Sequence, residues 1–478
     1  MTATIPAPRT DSAPPLAVSA WALHTFGGTQ VGDRRRTARL VRIAAALAAH
    51  PEQSLARSLG DPAAGKAAYR FLHSPATSVE TVTAPHRAQT LAAARAEPVV
   101  LFVQDTSELD YSHHPATRDL LPLGPGRPTG YLLQSVLALR PPGAEPAGPG
   151  TVLGLAALEP QLRVPKPAGE SRTERAQRPR ESDLWLRQVA AIGPPPPGAR
   201  WVHVGDRGAD MLRLFQTAQD VATDVLVRVS QNRKIARDDA VPGYLLPTAR
   251  AQPAGTERRT LALPTRGGVR GRTATLVVGW RPVTLQPTWL PAERRAGPAP
   301  LPGWVVRVWE PDPPAGTDGL EWILFTTVAT LTEADAWERV RWYQQRWVVE
   351  EYHQALKTGC RIEAAQLRDR DALWTLLGIC APVAVRLVQL RSAARQTPSA
   401  PATTLFSATT VRVVAALTGQ PTAAMTVQRC WRLIARLGGH WGRTGDGEPG
   451  WKTLWYGWQK VQDVETGVHL AAAWPELD

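Results

Sequence analysis

The segment YQQRWVVEEYHQALKTG, residues 343–359, combines carboxylates with cations in a pattern typical of an amphipathic helix. Each residue of an ideal helix advances about 100°, so Tyr343, Arg346, Glu350 and Lys357 fall within an arc of about 60°. The apolar residues of the segment occupy the opposite arc, which predicts a face docked on a core. Glu351 lies about 100° from Glu350. We therefore take Glu350 as the acid that does chemistry and expect Glu351 to be a solvated flank, although a polar arc is also typical of an ordinary wet helix face.

Two aspartates follow apolar runs that predict strands buried on both faces. Asp105 ends the run in PVVLFVQD, and Asp206 ends the run in ARWVHVGD. In the strand order deduced from the sequence, these two strands can lie side by side and parallel, which would bring both carboxylates to one edge of the sheet. A single aspartate at a strand end is commonly a turn or helix cap. Two of them, together with Glu350, predict an acidic triad supplied by three different elements.

Three neighbouring carboxylates repel one another unless protons or cations intervene, and oxygen ligands without His or Cys suit Mg²⁺ or Mn²⁺. Such a site is typical of two-metal phosphoryl transfer, with the ions about 3.5–4 Å apart. A glycosidase also uses two carboxylates, but it requires no metal. It also leaves Arg346 and Lys357 beside the acid unexplained, whereas both cations would suit DNA phosphates.

The elements that must position these residues can be predicted along the chain. Apolar runs indicate three strands, a helix, a strand, a second helix and a fifth strand, with the first three strands forming an antiparallel meander. Short, proline-punctuated strands from about residue 235 to 320 predict a β-rich insert. One further strand, which contains Trp322, then leads into a single long helix capped by Thr332 and ended by Gly359. The next helix, DALWTLLGICAPVAVRLVQLRSAAR, is apolar on nearly all sides and is expected to be buried.

A basic helical module precedes this core. GDRRRTARLVRIAAALAAHP predicts a helix with Asp33 as its N-cap and with Arg35, Arg39 and Arg42 on one face. DPAAGKAAYRFL predicts a second helix, capped by Asp61. A stripe of charge is more often a solvated surface. The density of arginine without an interleaved acid nevertheless favours phosphate contacts.

The 478-residue chain carries 55 Lys and Arg against 42 Asp and Glu, a formal net charge of +13. This excess of basic residues favours a polyanionic partner, and nucleic acid is the first candidate. A genomic base composition that favours arginine codons would produce the same excess. The length suggests two or three domains. The opening residues do not form a signal sequence and no apolar run is expected to span a membrane, so a cytoplasmic protein is predicted. Three separated cysteines support neither a disulfide framework nor a zinc site.

Several segments resemble, in the same order, the DDE transposases of bacterial insertion sequences, in the Tn-five-like, insertion-sequence-four group. They are GDRRRTARL, AAYRF, QDTSELDYS, GDRGAD, YQQRWVVEEYHQALKTG and IARLGG, and the fifth carries the Tyr-x2-Arg-x3-Glu-x6-Lys signature of that group. The resemblance implies an RNase H-like catalytic domain, here an α/β core with a mixed five-stranded sheet and a β-rich insert, between α-helical N- and C-terminal domains. The expected extents are 1–80 for DNA recognition, 81–395 for catalysis with the insert at about 235–320, and 396–478 for dimerisation.

The same resemblance implies roles for individual residues. Asp105, Asp206 and Glu350 match the catalytic, metal-binding triad, and Trp322 matches a tryptophan that holds a flipped base. The candidate DNA contacts are Tyr343, Arg346, Lys357, Trp322, Arg228, Lys234, Arg35, Arg39 and Arg42. The first twenty residues, the loops of the insert and the tail after Val464 depart from the family pattern. These departures leave open which end sequence is recognised and which residues form the dimer.

The expected function is cut-and-paste DNA transposition, with two Mg²⁺ ions per site and Mn²⁺ as a substitute. The expected steps are cleavage at the transposon ends, a hairpin intermediate and strand transfer. The expected partners are end DNA, target DNA and a second copy of the chain in a synaptic dimer. Two alternatives are a non-catalytic DNA-binding regulator derived from a transposase and an RNase H-like structure-specific nuclease. The intact acids argue against the regulator, since carboxylates facing phosphates oppose binding. A C-terminal pairing domain would argue against the nuclease, because only the synapsis of two ends requires a dimer.

Overall fold

The N-terminal part of the protein is helical. The structure, a computed structural model, describes residues 18–473 apart from 125, 127, 144–149, 165–166, 168, 172, 175–179, 237–242, 264–270, 287–298, 444–445 and 447. The first helices are α1 (Val18–Phe26), α2 (Arg34–Ala49), α3 (Leu55–Leu59), α4 (Pro62–Leu72) and α5 (Val79–Arg95). The Asp33 side chain accepts from Arg36 N at 2.8 Å, and Asp61 caps α4 in the same way through Ala63 N and Ala64 N. Both predicted N-caps are confirmed.

One mixed sheet forms the centre of the molecule. Its strands are β1 (Val99–Asp110), β2 (Leu121–Pro122), β3 (Thr129–Arg140), β4 (Thr151–Gln161), β5 (Arg200–Gly205), β6 (Asp224–Arg228), β7 (Arg259–Leu263), β8 (Arg272–Leu285), β9 (Leu301–Trp309) and β10 (Glu321–Thr326). Their order is β2-β3-β1-β5-β6-β10-β9-β8-β7, with β4 paired to β3. β1, β3 and β4 are antiparallel, whereas β1, β5 and β6 are parallel. The predicted meander and the predicted parallel neighbours are therefore confirmed.

The sheet is larger than the five strands that the sequence predicted. Its described part has ten strands, because β7, β8 and β9 of the 235–320 segment do not fold away from the core. β9 pairs antiparallel with β10, which in turn pairs with β6. The segment predicted as an insert thus continues the central sheet on the side of β6. Backbone groups of β10 that would otherwise form an open sheet edge are hydrogen-bonded on both sides.

The predicted long helix before Gly359 is wrong in one respect: it is interrupted. Thr332 begins α9 (Glu333–Gln344) with a capping box to Asp335, as its cap position predicted. α10 (Trp347–Gln354) follows after Gln345 and Arg346, where backbone hydrogen bonds of the i to i+3 kind tighten the turn. The chain then widens into a π-helical turn over Ala355–Gly359. A uniform advance of 100° per residue therefore does not hold from Tyr343 to Lys357.

Three shorter helices, α6 (Asp183–Ile192), α7 (Leu212–Asp220) and α8 (Leu245–Arg250), connect strands of the sheet. After α10 come α11 (Arg370–Gln396), α12 (Ala408–Thr418), α13 (Val427–Leu437) and α14 (Trp451–Ala473). By length and composition α11 could cross a membrane, but 78% of its apolar window is buried inside the protein. The prediction that this helix belongs to the core is confirmed.

The largest hydrophobic cluster joins parts of the chain that are distant in sequence. It contains Phe26 and Leu40 of the N-terminal helices, Leu133 of the sheet, Tyr352 of α10 and Leu377 of α11, all fully buried. The Arg386 guanidinium of α11 also lies 5.3 Å from the Trp21 ring of α1. The N-terminal helices are thus packed on the same core as the sheet. Their basic residues are therefore held at a defined position relative to the sheet.

Candidate active site

The parallel pairing of β1 and β5 places the two predicted aspartates together. Val103 lies opposite Val204, and the same register carries Asp105 and Asp206 to the same level, two residues further along each chain. β1 does not end at Asp105, as the sequence predicted, because its pairing with β3 continues as far as Asp110. Asp105 therefore projects from within a strand that is hydrogen-bonded well beyond it.

Asp206 begins a tight turn directly after β5. Its carboxylate accepts a hydrogen bond from Gly208 N at 2.7 Å and so caps a short 3-10 helix, Arg207–Ala209. Only glycine fits at position 205, since a Cβ atom there would collide with the Ala209 side chain. The motif GDRGAD therefore builds a compact corner that presents Asp206 at the sheet edge.

Glu350 reaches the same region from α10. Arg346 Nη2 lies 2.5 Å from Glu350 Oε1, and Arg346 Nη1 lies 3.8 Å from Asp105 Oδ2. The Arg346 side chain is only 9% exposed. One buried guanidinium thus bridges the helix acid and the strand acid. The charges of Asp206 and Glu350 also act on Asp105, so the three acids predicted from sequence lie in one neighbourhood, although they come from elements far apart in the chain.

The electrostatics of Asp105 reflect this crowding. The pKa of Asp105 is raised from 3.8 to about 7, first by burial and then by the charges of Asp206 and Glu350. The Thr106 backbone N–H and the Arg346 charge oppose the increase. A carboxyl group with this pKa is partly protonated at neutral pH and would ionise fully when a cation binds beside it.

The donor set fits a hard divalent cation, because all three side chains supply carboxylate oxygens. In the described part of the chain, however, no three His, Cys, Asp or Glu side chains converge closely enough to hold one ion. The position of Arg346 gives a physical reason, since its guanidinium already neutralises Glu350 and approaches Asp105. A cation at the acids would require Arg346 to turn away from at least one of them.

Tyr343, Trp322 and Arg228 form a second group beside the acids. The Trp322 and Tyr343 rings meet edge to face, with centroids 5.7 Å apart. Burial raises the pKa of Tyr343, while the charges of Arg346 and Arg228 oppose that effect. Trp322 is half-buried and packs at the margin of the main core. Trp322 is therefore partly accessible to solvent, and its neighbour Tyr343 is close enough to Asp206 for the Asp206 charge to raise the pKa of the tyrosine.

The two predicted lysine contacts lie apart from this group. Lys357 Nζ donates to the Glu108 carbonyl oxygen at 2.5 Å and lies 3.7 Å from Glu363 Oε1. Lys357 lies in the π-helical turn, so the advance of 100° per residue that placed it on the arc of Glu350 does not apply to it. Lys234 is exposed, its backbone bridges to Tyr244, and no hydrogen bond or ion pair joins it to the acids in the described chain.

Glu351 is not the solvated flank that the sequence predicted. Its carboxylate lies 3.1 Å from Arg395 Nη1 and 3.6 Å from Arg391 Nη1, both on α11. The Arg391 guanidinium also packs 4.8 Å from the Trp451 ring of α14. Glu351 therefore ties the helix that carries Glu350 to the long core helix and, through it, to the C-terminal part.

The N-terminal basic face is available to a partner. Arg35 and Arg42 are exposed and Arg39 is half-buried. In the described part of the chain, no ion pair joins any of the three to an acid, whereas Arg36 lies 3.7 Å from Asp33. The predicted stripe is thus present on α2 as an unneutralised surface.

Sequence reasoning missed a buried contact behind the acids. Ser135 lies directly opposite Asp105 on β3, and its Oγ is 3.1 Å from His353 Nε2 on α10. His353 is one helical turn from Glu350, so this hydrogen bond sets the position of α10 against β1 and β3. Burial lowers the pKa of His353 to about 3, which keeps the ring neutral. The signal in the sequence was a histidine three residues after the glutamate, but its partner could not be identified without the fold.

Three family models match successive parts of the chain. Residues 18–77 match the transposase DNA-binding model, residues 199–385 match the transposase DDE domain, and residues 382–477 match the Transposase Tn5 dimerisation domain. A DDE domain between a DNA-binding module and a dimerisation module defines a transposase, an enzyme that cuts DNA and joins it with the help of divalent metal. The chain belongs to the Tn5-like DDE transposases, and the insertion-sequence-four group fits its signature. It is a cut-and-paste DNA transposase with an RNase H-like core, DNA partners and a homodimeric form.

Proposed function

We propose that Asp105, Asp206 and Glu350 are the carboxylates that hold the metal of this transposase. The supporting observation is the shared register of β1 and β5, with Glu350 joined to Asp105 through Arg346. Two Mg²⁺ ions, which Mn²⁺ can replace, suit this all-oxygen set. When bound, they supply an activated nucleophile and stabilise the leaving oxygen.

The cationic groups of the site hold the DNA in this proposal. Arg346 exchanges its carboxylate partners for a phosphate when the acids take up cations, and Arg228 and Tyr343 extend the same surface. Lys357 and Lys234 contact the DNA further from the cleaved bond, in keeping with their distance from the acids. Each contact is a charge-assisted hydrogen bond or an ion pair to a backbone phosphate, which positions the strand without reading its sequence.

The chemistry then proceeds through one site. Water attacks the phosphorus at the transposon end and releases a 3′-OH group. That hydroxyl attacks the opposite strand, which forms a hairpin and frees the flanking DNA. A second water opens the hairpin, and the regenerated 3′-OH attacks a phosphodiester of the target DNA. Trp322 receives the base that the hairpin displaces, since stacking on an aromatic ring is worth about 1–3 kcal/mol.

The flanking modules complete the enzyme. Residues 1–80 recognise the transposon end through Arg35, Arg39 and Arg42, residues 81–395 catalyse, and residues 396–478 pair two copies in a synaptic complex. The protein acts in the cytoplasm, where its DNA partners are.

The assignment is tested by nicking of an end-labelled duplex that carries the inverted repeat flanking the gene. Asp206→Asn and Glu350→Gln should abolish nicking in Mg²⁺ while the duplex is still bound, because both remove a metal ligand and neither removes a DNA contact. Asp220→Asn is the matched control, since Asp220 is exposed at the end of α7 and away from the acids in sequence and fold. Near wild-type nicking by either active-site variant would exclude that residue from the site.

A further inference from the structure

A basic cleft lies beside the proposed active site, where β6 ends. It has a volume of about 240 Å³ and is lined by Arg207, Arg228, Ser230, Arg250 and Glu321, among others. Arg207 directly follows Asp206 in the chain, so the cleft begins at the acid corner. It is large enough for a phosphate group together with part of its sugar.

The charges in the cleft do not balance within the protein. Glu321 is the acid of the cleft, and it is already paired with Arg250 at 2.9 Å and with Arg307 at 2.8 Å. Arg228 donates to the Glu321 carbonyl oxygen at 3.3 Å and also hydrogen-bonds to Tyr343, and neither partner is a carboxylate. The Arg207 side chain is exposed, and no acid of the described chain forms an ion pair with it. Arg207 and Arg228 therefore bring two positive charges to the cleft without a carboxylate to neutralise them.

Hydrogen bonds around the buried Asp210 side chain hold the segments that carry these two arginines near each other. Ser230, two residues after Arg228, donates from Oγ to the Arg207 carbonyl oxygen at 3.2 Å. The Asp210 carboxylate accepts from Ser230 N at 2.7 Å and pairs with Arg233 at 2.9 Å, with the Asp210 side chain 1% exposed. This network fastens the Arg207 turn to the segment that leaves β6.

Two like charges held near each other by hydrogen bonds, without a carboxylate between them, indicate an anion as the ligand. Burial lowers the pKa of Arg228, and the Arg207 charge lowers it further. A phosphate between the two guanidinium groups would remove that repulsion and would accept planar, paired hydrogen bonds.

We infer that Arg207, together with Arg228, binds one backbone phosphate of the DNA close to the bond that is cleaved beside Asp206. This inference rests on the proposed assignment of Asp206 to the active site. The phosphate belongs either to the transposon-end strand or to the target strand, and both have the same chemistry. Arg207 was not among the residues that the sequence singled out.

The test measures the coupling between Arg207 and individual phosphates. A set of transposon-end duplexes, each with one neutral methylphosphonate near the cleavage position, is titrated in EDTA with wild-type protein, Arg207→Ala and Arg207→Lys. Neutralising the relevant phosphate should weaken wild-type binding about tenfold, as expected for one charge-assisted contact. It should have almost no further effect on Arg207→Ala, while Arg207→Lys should retain part of the coupling because lysine keeps the charge and loses the planar fork. Arg213→Ala is the control, because Arg213 is also exposed but is paired with Asp183 at 2.9 Å.

A second arm distinguishes the two sources of phosphate. The same substitutions are placed in a target duplex, and strand transfer by pre-cleaved ends is followed with wild type and Arg207→Ala. If Arg207→Ala and a methylphosphonate show coupled effects in only one of the two measurements, the phosphate belongs to the DNA used in that measurement. The inference would be overturned if the effects of Arg207→Ala and of every methylphosphonate were independent in both measurements while wild-type nicking stayed intact. The assignment of Asp206 is decided separately by the nicking of Asp206→Asn, so the two failures can be told apart.

Discussion

In the absence of divalent cations, the Asp105→Asn variant should lose less stability than wild type as the pH rises from 5 to 8. The pKa of Asp105 is about 7 in the folded protein, against an ordinary value of 3.8. Between these two values the folded state binds more protons than the unfolded state, so its stability decreases as the pH increases. The stabilising contribution of Asp105 to the free energy of unfolding is fully present below about pH 4 and is lost as the pH rises through about 7. Asparagine has nearly the same shape and does not titrate.

The magnitude follows from the width of this window. Each pH unit inside it changes the free energy of unfolding by about 1.4 kcal/mol. This slope flattens as the pH approaches 7, so wild type should lose about 2–3 kcal/mol between pH 5 and pH 8 that the variant retains. Well above pH 7 the Asp105 carboxylate is ionised in both the folded and the unfolded state, and the difference stops growing. The side chain is only 20% exposed, so solvent screens the neighbouring acids weakly.

The measurement is urea unfolding in EDTA at pH 5 and pH 8, followed by tryptophan fluorescence. Asp110→Asn is the control on the same strand. Burial raises the pKa of Asp110, but hydrogen bonds from Ser112 outweigh this effect and hold the pKa below its usual value, so the Asp110 carboxylate stays ionised from pH 5 to pH 8. Adding Mg²⁺ at pH 8 should restore stability to wild type and much less to Asp105→Asn. Parallel pH dependence of wild type and Asp105→Asn would refute the electrostatic reasoning about this site.

Further outcomes are expected at the DNA surface and in the packing. Replacing Arg35, Arg39 and Arg42 with Ala should weaken binding to end DNA and reduce the log–log salt slope by about 0.9 for each phosphate that is no longer neutralised; an unchanged slope would make the stripe an ordinary solvated face. Trp322→Ala should spare the first nick and impair hairpin formation on a denaturing gel, whereas equal loss of both products would indicate a packing role. Glu351→Gln should retain nicking per folded molecule but lower the free energy of unfolding by about 1–3 kcal/mol, because it leaves buried guanidinium charge without its partner. An unchanged unfolding curve would show that these ion pairs contribute nothing.

The contrast between Glu350 and Glu351 shows how far helical periodicity extends. Periodicity separated the two acids correctly, since Arg346 and Glu350 do lie on one side of α10. It did not identify the partners of Glu351, because Arg391 and Arg395 are about forty residues further along the chain. Its angles also do not extend to Lys357, because the chain departs from ideal helix geometry after Gln354. The spacing of residues in the sequence predicts a single helix or strand, but it does not predict the contacts that this element makes with distant parts of the chain.

Short-range rules determined much of this protein by themselves. Apolar runs indicated β1 and β5, side chains that satisfy free backbone N–H groups indicated the caps at Asp33 and Thr332, and residue types at fixed spacing pointed to carboxylate chemistry. Tertiary structure alone decided the rest. It extended the sheet to ten strands through backbone pairing between distant segments, and it placed Arg346 between two acids. It also raised the pKa of Asp105, because burial and neighbouring charge depend on which elements meet in space, and a linear pattern does not contain that information.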